Sequence, residues 1–80
     1  MNNYRRAYFS LVDSVCVETG NARYDLHNMW KERIFPFVQE NPDCFIGGIV
    51  DKNFSTSSLS EYGWEVFYNE FKHYMVSVIS

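Results

Sequence analysis

Five cations in the first half of the chain could contact phosphate: Arg5 and Arg6 side by side, then Arg23, Lys31 and Arg33. His27 stands one helical turn before Lys31. If the segments carrying these residues are antiparallel helices, Arg5 and Arg6 lie toward Arg33 rather than Arg23. The group then forms a basic patch suited to the sugar–phosphate backbone of a nucleic acid, the bland alternative being separate, solvated arginines. Other chemistry is thin. Cys16, Cys44, His27 and His73 hold no pair at metal-ligand spacing, so no metal or other cofactor is expected. Nothing near either thiol would activate a Cys–His nucleophile pair. The carboxylates are scattered, and Gly47-Gly48 is a turn rather than a phosphate loop. With no converging acid, base or nucleophile, the chain reads as a binding protein and not as an enzyme.

Composition narrows the partner. Eighty residues make one small domain, 1–80, with a modest core unless it is shared. Seven Phe, six Tyr and two Trp compensate for that size or form an aromatic contact surface. A net charge of −3 excludes a strongly basic protein driven by counterion release, and is too small to argue for a DNA mimic. Two cysteines do not make a disulfide framework; they read as reduced thiols in a cytoplasmic protein. No long apolar run suggests a secretory signal or a membrane span.

The elements that must position these residues follow from periodicity. Tyr4, Ala7, Tyr8, Leu11, Val12, Val15 and Cys16 keep helical spacing over 4–18, with Asn2 or Asn3 as cap and Gly20 as the left-handed stop. Leu26, Met29, Trp30 and Ile34 mark a second helix, which Pro36 should end. From Phe37 to Phe54 the periodicity is lost, and Gly47-Gly48 between β-prone residues predicts a short hairpin. The third helix is the most regular: Trp64, Phe67, Tyr68, Phe71, Tyr74, Met75 and Val78 share one face, opposite Glu65, Asn69, Glu70 and Lys72. Ser60 should cap it, with Leu59 and Trp64 at the staple positions and Glu61 in the first turn. Gly63 falls where a capping box has Glu, so Gly63→Glu is expected to stabilise an open site. The predicted fold is mainly α: three helices, with a short β-hairpin between the second and the third.

The order of these pieces resembles a known family. "NNYRRAYFSLVDSVCVETGN", "DLHNMWKERIF" and "STSSLSEYGWEVFYNEF" together are similar to the phage NinB-type recombination-accessory proteins. Thr19-Gly20 close the first helix, Leu26-His27 with Lys31 mark the second, and Ser55-Thr56, Leu59-Ser60 and Trp64 lead into the last. The resemblance implies a phage-encoded protein of the host-cell cytoplasm that binds single-stranded DNA in recombination, as a homodimer. The additional domain of full-length members has no room in 80 residues. A second reading, from another class, is a small protein-binding module that modulates a host enzyme through exposed aromatic rings and carboxylates.

Overall fold

The computed structural model describes residues 3–53 and 55–79, with side chains up to 77; Asn2, Phe54 and the Val78 side chain lie outside the described residues. Three helices carry the architecture: α1 (Asn3–Thr19), α2 (Arg23–Val38) and α3 (Glu61–Ile79). On α1, Tyr8, Val12 and Val15 are buried and Tyr4, Leu11 and Cys16 flank them, so tertiary burial overrides the weak helix preference of the valines. Gly20 stops the helix at φ +75°, its N–H donating to the Cys16 carbonyl at 2.9 Å.

α2 starts without a side-chain cap. Ala22 holds the N-cap position at φ −72° and ψ 142°, the extended geometry in which a short polar side chain would reach a free N–H of the first turn. Ala22 is exposed. Ala22→Ser should therefore raise stability by about 1 kcal/mol, read as a higher urea midpoint at unchanged m value. An unchanged midpoint would mean those N–H groups are already satisfied.

Three expectations about the middle of the chain need correction. Pro36 does not end α2, which runs two residues further to Val38. Proline fits a helical φ but removes one backbone donor and crowds the preceding turn. Burial of Phe35 and Val38, both 0 % exposed, holds the final turn in place while Pro36 faces solvent. Met29, expected on the inner face, is instead exposed.

The hairpin is also absent among the described residues. Gly47 and Gly48 do make a tight turn at φ +71° and +72°, but the arms beside it form no ladder. Single 3₁₀ turns occupy Pro42–Cys44, Ile46–Gly48 and Thr56–Ser58. Phe45 instead makes an isolated antiparallel bridge with Leu59, and the Cys44 carbonyl accepts the Ser60 N–H at 2.9 Å. Burial of Phe45 and Leu59 draws the first arm under the start of α3, away from its sequence neighbour.

The hydroxyl-rich run before α3 is tied down. The Asp51 carboxylate accepts the backbone N–H groups of Asn53 and Ser55 at 2.8 and 2.9 Å and the Ser58 hydroxyl at 2.8 Å. These bonds hold its pKa below the usual carboxylate value. Gln39 Nε2 donates to the Asp51 carbonyl at 2.8 Å, fastening the same loop to the end of α2. Ser60 then caps α3 as expected: the Gly63 N–H donates to its hydroxyl oxygen at 3.1 Å, and the hydroxyl donates to the Asp43 carbonyl at 2.7 Å.

The core is aromatic. Tyr8, fully buried, lies 4.7 Å from Phe67 and 5.1 Å from Phe71, ring centre to ring centre, both edge to face. Trp30 meets Phe71 at 5.2 Å in the same geometry, so one face of α3 packs against both other helices. Edge-to-face pairs suit the ring quadrupole, and each large ring buries roughly 150–250 Å². That is how so short a chain closes a core.

Candidate nucleic-acid interface

α1 and α2 are antiparallel neighbours, as their polar contacts show. Arg23 Nε lies 3.2 Å from Asp13 Oδ1, and the Tyr8 hydroxyl lies 2.8 Å from His27 Nδ1. Phe9, beside Tyr8, turns toward this seam. The Arg23 guanidinium carbon sits 5.0 Å from the Phe9 ring centre, and the His27 ring is 5.4 Å from Phe9. Phe9 in turn lies 6.0 Å from Trp64, and the Arg5 guanidinium carbon sits 5.8 Å from the Trp64 ring. The result is a continuous strip, Arg5–Trp64–Phe9–Arg23, in which two cations flank two rings.

Two openings border the strip. Phe9, Arg23, Tyr24 and His27 line a cavity of about 300 Å³. Arg5 and Trp64, with Thr56, Ser57, Ser60 and Glu61 among their neighbours, line a second of about 400 Å³. Tyr24 and Tyr62 are largely exposed and have no ring partner among the described residues. The ion pair that holds Arg23 is solvent-exposed on both sides and worth about 0–1 kcal/mol, with the cation–π contact adding about 0.5–1 kcal/mol. Interactions of that size hold the guanidinium in place yet yield to a phosphate.

His27 is half-buried, and its pKa is pushed down from 6.5, first by burial and then by Lys31 and Arg23. The folded state therefore favours neutral imidazole, while the unfolded chain takes up a proton as pH falls below about 6.5. The associated stability is fully present above 6.5, falls as the pH drops from there to the depressed folded pKa, and levels off below it. Urea midpoints between pH 7.5 and 5 should show that decline, and His27→Gln should flatten it. A slope that survives the substitution would assign the titration to another group.

The five cations do not form one patch. Arg5 and Arg23 join through the rings, and Lys31 lies near enough to influence His27 electrostatically. Arg6 is exposed on α1 without a hydrogen bond, ion pair or ring contact among the described residues. Arg33 packs over Tyr74, its guanidinium carbon 4.3 Å from the ring centre, and Tyr74 stacks on Trp30 at 5.5 Å. The expected grouping of Arg5 and Arg6 with Arg33 is thus replaced by the grouping of Arg5 with Arg23. The ring of α3 that bridges them cannot be placed from two helices alone. Phe9, Tyr24 and Trp64 had no place in the expected patch; for Phe9 and Tyr24 the signal available was an aromatic near a basic residue and off the apolar face, and for Trp64 the sequence holds none.

Both cysteines are free. Cys44 is buried, and burial, followed by Asp43, raises its thiol pKa; Cys16 is half-buried. Among the described residues no three His, Cys, Asp or Glu side chains gather as a metal site would require. No described helix is long and apolar enough to cross a membrane. No protein-family model, curated protein or solved structure matches this chain.

Proposed function

We propose that the chain binds single-stranded DNA along the Arg5–Trp64–Phe9–Arg23 strip and, as the family resemblance implies, serves as a homodimeric accessory protein in phage recombination. The observation that supports this most is the pair of rings flanked by two cations beside two open clefts. Single strands are held by a positive groove that follows the backbone and by rings on which unpaired bases stack. Tyr24 and Tyr62 supply exposed rings; Arg5, Arg6, Arg23 and Lys31 supply the charge. With a net charge of −3 the attraction has to be local.

Replacing Arg5, Arg6, Arg23 and Lys31 together should abolish binding of an oligothymidine. Each single replacement should weaken it and lower the salt slope by about 0.7, the single-strand value per phosphate contact. Absence of any shift at about 50 mM salt with micromolar protein would remove the proposal.

A second reading has its own observation. Ile46 and Ile49, at 61 % and 75 % exposure, flank the Gly47-Gly48 turn and present apolar surface at its tip. Such a tip suits a protein partner. Ile49→Asp, which unlike Ile46 does not line the Arg5–Trp64 cleft, should eliminate capture of that partner from host lysate while leaving oligothymidine binding intact; equal loss of both would merge the two surfaces.

A further inference from the structure

The cleft between α1 and the first turns of α2 has a one-sided hydrogen-bonding character. Its lining residues are Phe9, Arg23, Tyr24 and His27, and their available polar groups are nearly all donors. Asp13 engages Arg23 through Nε, which leaves the two terminal nitrogens of the guanidinium fork without a hydrogen bond among the described residues. His27 is set by Tyr8. The Tyr8 hydroxyl is fully buried, and its hydrogen bond is to His27 Nδ1 at 2.8 Å. Donation from Tyr8 to Nδ1 satisfies the hydroxyl proton, whereas the reverse tautomer strands it in the core. Nδ1 is then an acceptor already in use, and Nε2 carries the ring proton as a second donor. The Tyr24 hydroxyl is the one remaining group of the lining side chains that can accept.

The walls are flat and apolar. Phe9 forms one side, and Tyr24, 79 % exposed, offers a ring free to close from the other. At about 300 Å³ the cavity is at the small end of ligand sites, which favours a single heterocycle.

We infer that this cleft is a guanine-selective base site, in which the Arg23 fork and His27 Nε2–H donate to O6 and N7. Guanine alone presents two neighbouring acceptors on that edge with no donor between them. Adenine sets an amino donor beside N7, cytosine presents an amino group, and thymine offers one carbonyl beside a methyl. The cleft's fixed donors therefore oppose adenine's amino group, with the Tyr24 hydroxyl the single lining side-chain acceptor. Cytosine offers neighbouring acceptors, O2 and N3, only from its other edge, so GMP against AMP is the comparison that reads the site. Tyr8 is the positioning residue, since it selects the His27 tautomer. The inference rests on the single-strand reading for the strand that delivers the base, while the cleft itself can be tried without one.

The same groups would also donate to phosphate oxygens, so the test holds phosphate constant. The protein is titrated with GMP, AMP, CMP and dTMP, following tryptophan emission, and by anisotropy with an oligothymidine and the same strand carrying central guanines. GMP should bind at least about fivefold tighter than AMP, the lower end of what one bidentate base contact supplies, and guanines should tighten the strand similarly. In Arg23→Lys, which keeps the charge and loses the fork, the GMP:AMP ratio should fall toward one. Equal binding of all four monophosphates would overturn the inference in favour of a phosphate site. A strand that binds without gaining from guanine also overturns it, and leaves the single-strand reading standing. Preference for GMP without strand binding supports the base site and removes the strand reading, and no binding of any probe removes both.

Discussion

Gly63→Ala should cost this protein about 3 kcal/mol or more, although glycine to alanine in a helix ordinarily stabilises. Gly63 lies in the first turn of α3 and is buried. A Cβ built there would run into the Cys44 carbonyl oxygen, with the carbonyl carbon at 2.9 Å and Leu59 Cδ2 at 3.1 Å. The obstacle is backbone, and it cannot swing aside as a side-chain tip would. That carbonyl also accepts the Ser60 N–H, and Ser60 caps the same helix, so a shift that relieves the clash undoes the bridge and the cap together. A domain of this size has a total stability of roughly 4–12 kcal/mol. Gly63→Glu, attractive as a capping box, should be at least as damaging as Gly63→Ala. Urea denaturation of the two variants decides the point: a wild-type midpoint for Gly63→Ala would mean that the Cys44 loop does not approach α3 this closely.

Trp64→Ala should have the second large effect, a loss of about 3–5 kcal/mol. Trp64 is 5 % exposed, and its ring centre lies 5.4 Å from Phe67, 5.9 Å from Tyr8 and 6.0 Å from Phe9. Its removal opens a cavity at the join of α1 with α3 and releases Arg5 from its ring. Trp64→Phe retains an aromatic wall and should lose markedly less. Trp30 remains as the fluorescent reporter, so unfolding can be followed in both variants. If Trp64→Ala unfolds at the same urea concentration as the parent chain, Trp64 does not belong to the core. Gly63 and Trp64 are adjacent in the first turn of α3, so the effects of a double change will not add.

The elements most legible in the sequence are those whose signals are local. The run Trp64, Phe67, Phe71, Met75 reads as a helix face because four buried positions at helical spacing leave no other solution, and Ser60 reads as its cap because the hydroxyl bonds its own first turn. Gly20 as a stop is equally local, a left-handed residue closing on Cys16. The antiparallel placing of α1 and α2 follows from the short connection between them.

What the tertiary structure decided is wherever a distant group competes with a local preference. Pro36 signals an end to α2, and burial of Phe35 and Val38 overrules it. Gly47-Gly48 signals a hairpin, yet the Phe45 backbone finds Leu59 and the Cys44 carbonyl finds Ser60, partners that no window around the turn contains. Gly63 looks like a missing capping acid until the Cys44 carbonyl comes to lie against it. The cations follow the same rule. Their types and their helices could be read in advance, but their grouping depends on Phe9 and Trp64, rings from two helices that meet only when the core closes. Helix periodicity is a property of neighbouring residues, and the chain order contains it; the meeting of side chains from separate elements depends on packing, which the sequence specifies only through the whole fold.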